Sequence, residues 1–250
     1  MTDSKQNQNG NMFLYGQPEL LTLEEHGALG LTPSDTPYAM ASGVRAVPVT
    51  VAEFASAQRH YPIVFTNIEA PYPVAVVGLL EDDNLFMENG AWDPACYVPA
   101  YLRCHPFAFA AEQEGRIAVV VDRAAPTVTT NAKYPFFVDG KLAPETESMM
   151  HFCAKYEAER QRTVDFCRAL KDMGVLAAQR AAHTPEGGGE EQVLANYVSV
   201  DAKKLAELEA GSVVELHKTG RLAAAYLQLY SMENWQPLMM RRDQRLKSAA

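Results

Sequence analysis

Residues 73–92 read PVAVVGLLEDDNLFMENGAW. Aliphatic and β-branched side chains fill 74–80, the acidic turn Glu81-Asp82-Asp83-Asn84 follows, and Leu85-Phe86-Met87 resumes the apolar run before Asn89-Gly90. Brief runs of β-formers bounded by turn residues predict strands. Asn-Gly is a pair whose two residues tolerate positive φ, as a two-residue hairpin turn requires. A connection that short joins antiparallel neighbours, because a parallel crossover consumes a dozen residues or more. The first half therefore reads as an antiparallel meander, not a doubly wound sheet.

The same grammar extends outward. Residues 63–66 form a strand, separated from 74–80 by Pro71 and Pro73. Residues 51–60 suggest a short helix. Residues 107–111 and 117–121 flank Glu114-Gly115, a second hairpin, and 136–138 end at the turn Asp139-Gly140. The character then changes. Pro144, Glu145 and Glu147 place a proline and two acids at a helix start. Apolar side chains recur at Met149, Cys153, Tyr156, Val164, Cys167, Leu170 and Met173, close to a 3.6-residue period. Gly174 stands where a C-cap belongs. One helix over about 144–173 follows, with Arg160 interrupting its apolar stripe. Beyond it, 185–191 with three consecutive glycines reads as a surface loop. Residues 197–200 and 223–230 read as strands, 202–209 and 212–218 as short helices, and 233–245 as a terminal helix.

The fold class is thus α+β: a largely antiparallel sheet packed by one long helix and shorter C-terminal helices. Residues 1–43 form an N-terminal tail and extended arm, and 44–250 a single α+β domain.

Composition narrows the function. The formal net charge of −9 repels phosphate backbones in the mean field and argues against nucleic acid as a partner. Arg241, Arg242, Arg245 and Lys247 make the only clear basic patch. The N-terminus lacks the basic and apolar regions of a secretory signal, and no apolar run approaches the ~20 residues of a membrane-spanning helix. A soluble, cytoplasmic protein is expected, which leaves a signal-less export route open. The four cysteines, Cys96, Cys104, Cys153 and Cys167, form no CxxC pair and no zinc-ligand spacing with the six histidines. Free thiols, no metal and no cofactor are expected. There is no GxGxxG, P-loop or GxSxG.

Six blocks in order carry a resemblance: VPVTVAEFASAQRHYPIVF (47–65), 73–92, YVPAYLRCHPF (97–107), GRIAVVVD (115–122), the segment from Tyr134, and AAAYLQLYSMENW (223–235). Together they resemble the SapC family over nearly the whole chain. The resemblance implies a bacterial protein of this length, and the family's name derives from a surface-layer gene cluster. Members often lie in gene neighbourhoods with TonB-dependent receptors and flavin-dependent halogenase-like proteins. The family has no established catalytic residues to carry over.

The densest polar-aromatic stretch runs from Trp92 to Phe107. Arg103 offers a fork of donors for an anion, with Tyr97 and Tyr101 as walls and His105 beside them. Asp122 ends a buried aliphatic run, where a carboxylate can serve as a base or a ligand. The plainer use of the same residues is structural: Arg103 paired with a carboxylate, the tyrosines packed on a sheet edge, Asp122 capping a turn. Tyr97, Tyr101, Arg103, His105 and Asp122 are therefore the candidate binding residues, for a small anionic or aromatic ligand or a protein partner. A non-catalytic binding or accessory protein is the reading this supports. The alternatives are a cofactor-independent enzyme around Arg103, His105 and Asp122, or a surface-layer or envelope-associated component.

Overall fold

The computed structural model describes residues 12–111, 117–183 and 191–249. Strand β1 (Pro18–Leu20), the single turn α1 (Leu23–His26) and β2 (Leu29–Leu31) come from the predicted arm. Thr22 starts α1 by accepting from the Glu25 amide, the usual service of a threonine N-cap. After β3 (Ala46–Pro48), Thr50 heads a 3-10 turn that runs into α2 (Phe54–Ala57). Strands β4 (Ile63–Phe65) and β5 (Pro73–Val76) follow. The hairpin β6 (Met87–Glu88) and β7 (Ala91–Trp92) turns on Asn89 and Gly90, at φ of 51° and 79°. Next come the helical turn α3 (Ala100–Cys104), β8 (Phe107–Ala111), β9 (Ile117–Asp122), β10 (Val128–Thr130), β11 (Tyr134–Pro135), β12 (Phe137–Val138) and β13 (Lys141–Leu142). Helix α4 (Pro144–Asp172) separates these from β14 (Leu176–His183) and β15 (Gln192–Val200). The chain ends in α5 (Ala202–Ala206), α6 (Ala210–Lys218), α7 (Arg221–Ser231) and α8 (Trp235–Ala249). Every pairing between these strands is antiparallel.

Two compact units arise from interleaved segments: Met1–Met40 with Cys104–Lys155, and Ala41–Arg103 with Tyr156–Ala250. In the first, β9 lies between β1 and β8, β2 lies between β10 and β11, and β12 pairs with β13. Phe107 and Phe136 are fully buried, with ring centroids 5.2 Å apart. A Cβ on Gly30 would stand 2.2 Å from the Tyr134 carbonyl oxygen, so β2 can approach β11 only as glycine. Asp139 and Gly140, both at positive φ, turn β12 into β13 as predicted.

The second unit holds a five-stranded sheet in the order β14-β15-β4-β5-β3. All three β4 residues are buried, so this strand is covered on both faces. Phe54, Phe65 and Phe166 pack around it, with Phe166 lying 5.9 Å from Phe54 and 6.5 Å from Phe65. The fully buried Gln228 amide donates to the Ile63 carbonyl (2.8 Å) and accepts from the Val200 amide (3.0 Å). One helix side chain thereby satisfies backbone groups of two strands.

Helix α4 is continuous, and its three expected i,i+3 ion pairs form: Glu157–Arg160, Glu159–Arg162 and Asp165–Arg168. It closes in a Schellman motif, with Gly174 at positive φ and bonds from Gly174 to Lys171 and from Val175 to Leu170. Its buried positions are Thr146, Cys153, Thr163, Phe166, Cys167 and Leu170. Met149, Tyr156, Val164 and Met173 of the predicted stripe are only half-buried.

Two expectations need correcting, and one strand has no counterpart in the sequence reading. Residues 223–230 are helical, within α7, not a strand. The buried positions Ala224, Ala225, Gln228 and Ser231 follow i, i+1, i+4, i+7, and alanine is the strongest helix former. Residues 176–183 form a strand although Leu-Ala-Ala-Gln-Arg-Ala-Ala-His has little intrinsic β-preference; pairing along β15 overrides it. The strand predicted at 197–200 begins at Gln192, so the sheet draws on the second half of the chain as well as the first. The predicted turn Glu114-Gly115 and the glycine loop at 187–189 lie outside the described residues.

Candidate functional site

The five candidate side chains divide between the two units. Tyr97, Tyr101 and Arg103 belong to the second, organised around Glu53 at the end of the 3-10 turn. One Glu53 oxygen accepts from the Thr50 amide (2.7 Å) and hydroxyl (2.8 Å). The other accepts from the Tyr97 hydroxyl (3.0 Å) and the Ala100 amide (2.6 Å), which fixes the start of α3. Arg103 then donates to the Tyr97 hydroxyl at 3.0 Å. Burial raises the Tyr97 pKa, the neighbouring Glu53 charge adds to the rise, and the phenol stays protonated. Tyr101 leans on Tyr156, with centroids 6.1 Å apart.

His105 and Asp122 belong to the first unit and are joined by a 3.1 Å contact between His105 Nε2 and Asp122 Oδ2. Asp122 Oδ2 also accepts from the Gly16 amide (3.0 Å), and Oδ1 accepts from Gln17 (2.8 Å) and Ala124 (3.1 Å). Burial works to raise the Asp122 pKa, but these backbone donors and His105 outweigh it and hold the carboxyl below its usual range. Burial lowers the His105 pKa against the pull of Asp122, so the imidazole is neutral near pH 7. Tyr15 stacks edge-on to His105 (5.2 Å) and donates to the Phe107 carbonyl. With each oxygen engaged, Asp122 ties the approach to β1 onto the end of β9.

An open cavity lies elsewhere in the second unit, between residues 85–94 and one face of α8. Its volume is about 710 Å³. The loop wall is an aromatic block. Phe86 and Trp92 stack at 18°, Tyr61 meets Phe86 edge-on at 4.6 Å, and Trp92 Nε1 donates to the Tyr61 hydroxyl. Asp93 shapes the next turn by accepting from the Ala95 amide (3.0 Å), an Asx turn. The helix wall presents Arg241, Gln244, Arg245 and Ser248, spaced i, i+3, i+4, i+7 and so on one face. Arg241 donates to Asp93 (2.7 Å), and its guanidinium carbon lies 4.3 Å from the Phe86 ring centroid. Arg245 donates to the Met87 carbonyl at 2.7 Å. The Arg241 hydrogen bond is the main reason the Asp93 pKa falls below the usual carboxylate range. Burial pushes the Cys96 thiol beside it up to about 11, so it is not a ready nucleophile.

The cavity takes Trp92 and Asp93 from the stretch singled out in the sequence, and two arginines from the basic tail. No local pattern joins them, because Asp93 and Arg241 are 148 positions apart. Only the i,i+4 spacing of Arg241 and Arg245 hinted that both share a face.

A family model for SapC matches residues 21–238, most of the chain. The chain belongs to the SapC family. No curated protein and no solved structure matches it. The SapC match covers the aromatic wall of the cavity and stops before Arg241, so the helix wall lies outside the matched span. Among the described residues of this SapC chain, no helix is long and apolar enough to cross a membrane. None of its His, Cys, Asp or Glu side chains there gather in threes as metal ligands would.

Proposed function

We propose that this SapC family protein is a non-catalytic binding or accessory protein that holds a small ligand in the cavity between residues 85–94 and α8. The observation that carries this reading is the cavity itself. At about 710 Å³ it has the size of a small-molecule site, and it is edged by placed polar groups: Glu88 and Asp93 on the loop, Arg241, Gln244 and Arg245 on the helix. Its walls are braced by the ring stack and the Arg241–Asp93 bond. An enzyme working through His105 and Asp122 draws less support, because the backbone amides already occupy the carboxylate that would serve as base.

A ligand-observed NMR screen of small aromatic and aliphatic compounds against the full chain tests the proposal. Binders should shift backbone amides of 85–94 and 241–248 together. Binders that perturb Tyr97–Arg103 instead would move the site back to the Glu53 cluster, and a screen without binders would remove the reading.

A further inference from the structure

Away from the cavity, the outer edge of β14 is built to pair. We infer that β14 pairs antiparallel with β14 of a second copy of this chain, with Gln179 on the two-fold axis, so that the two five-stranded sheets run on as one. A sheet edge presents a row of unpaired N–H and C=O groups, and short strands, prolines and lysines are common defences against pairing there. At the opposite edge, β3 is three residues long and ends in Pro48. Strand β14 spans eight residues and holds neither proline nor lysine. Its one permanent charge, Arg180, is already paired with Glu191 of the same copy.

Backbone alternation decides which groups are open. The Val200 amide donates to Gln228, and Val198 pairs with Phe65 of β4, so both residues face away from β14. Their partners across the hairpin, Leu176 and Ala178, therefore stand in non-hydrogen-bonded pairs, and by the same alternation so does Arg180. The N–H and C=O groups of these three residues point off the outer edge. Lys204 donates to the Leu176 carbonyl at 3.4 Å and closes one end of it. The register shift between Ala181 and Ala182 bends the other. Between them Ala178, Gln179 and Arg180 are exposed, and among the described residues nothing bonds the outward amides and carbonyls of Ala178 and Arg180. That window matches its own copy in one register. With Gln179 on the axis, Ala178 lies opposite the partner's Arg180 and Arg180 opposite the partner's Ala178, and each such pair exchanges two backbone hydrogen bonds. Moving the axis to Arg180 would set two arginines directly opposite, which is destabilising. Moving it to Ala178 would call on the Leu176 carbonyl, which Lys204 already holds.

A contact carried by one strand edge is small, so the dimer is weak and its population follows concentration. Sedimentation velocity on the full chain between about 10 and 500 µM should show the dimer fraction rising. Gln179→Lys sets two ammonium groups face to face on the axis; it should raise the dimer Kd at least about fivefold and leave the thermal midpoint of the dilute protein unchanged. Gln179→Cys should lock the dimer through a disulfide under diamide oxidation, above the wild-type background, because a non-hydrogen-bonded pair brings the two Cα atoms within bridging distance. Ala177→Cys should not, since in this register the two copies of that residue stand well apart along the strands. A monomer at every concentration would overturn the inference. So would a dimer that is indifferent to Gln179→Lys or that Gln179→Cys fails to lock.

Discussion

Glu53 and Asp93 sit in the same unit, and each faces an arginine-bearing neighbourhood, yet their surroundings differ. Glu53 is 6% exposed and takes four donors, two on each oxygen. The Asp93 side chain is 27% exposed and meets an arginine whose own side chain is 34% exposed. A buried carboxylate is held only if its lone pairs are met, and once met they leave nothing for a ligand. A half-exposed one exchanges with water and neighbours at little cost. The first cluster builds the fold; the second borders an open cavity. Binding and stability should therefore separate between them.

The largest effect is expected at Glu53. Glu53→Ala strands the Thr50 and Ala100 amides and the Tyr97 hydroxyl in a buried site, at about 1–3 kcal/mol per orphaned group before relaxation. A net loss of about 3 kcal/mol or more in urea unfolding is expected, with no selective loss of cavity binding in the surviving folded protein. A loss under about 1 kcal/mol would show that the cluster is not closed as described.

Next comes the His105–Asp122 pair. Both folded pKa values lie below their ordinary ones, so the unfolded chain binds protons more readily at both sites. The sign follows: the contribution of His105 is complete above about pH 6.5 and that of Asp122 above about pH 4, and each is lost as pH falls further. Asp122→Asn should cost about 2 kcal/mol at pH 7, because it places an amide donor against backbone N–H groups. Its deficit should shrink below pH 4, as the wild-type carboxyl protonates. His105→Gln should flatten the limb that begins near pH 6.5. A deficit for Asp122→Asn that grows with acid would contradict the hydrogen-bonding pattern.

The contrast also explains what could be read from the sequence. The hairpin at Asn89-Gly90 and the turn at Asp139-Gly140 were legible because positive φ is a local requirement with a local residue signature. Helix α4 was legible from its period, its proline start and its glycine stop. Helix α7 was misread as a strand although its alanines and the spacing of its buried positions favour a helix, and strand β14 went unassigned because an alanine-rich run becomes a strand only through its pairing with β15. The site followed the same division. Trp92 and Asp93 stood out in a dense aromatic stretch, but Arg241 and Arg245 join them only through tertiary packing of α8.

The smallest effect is expected for the Asp93–Arg241 pair, and it bears most directly on the comparison. Exposed pairs of this kind couple by under about 1 kcal/mol, because water screens them and two long side chains must be ordered. A double-mutant cycle of Asp93→Asn and Arg241→Gln should return a coupling below that value in thermal or urea unfolding. Arg241→Gln alone should cost slightly more than Asp93→Asn, since it also gives up the contact over Phe86, worth about 0.5–1 kcal/mol at a partly exposed site. A coupling above about 2 kcal/mol would mean that the pair behaves like the Glu53 cluster. The wall it forms would then be part of the folded core, and the cavity beside it a packing defect with no ligand to hold.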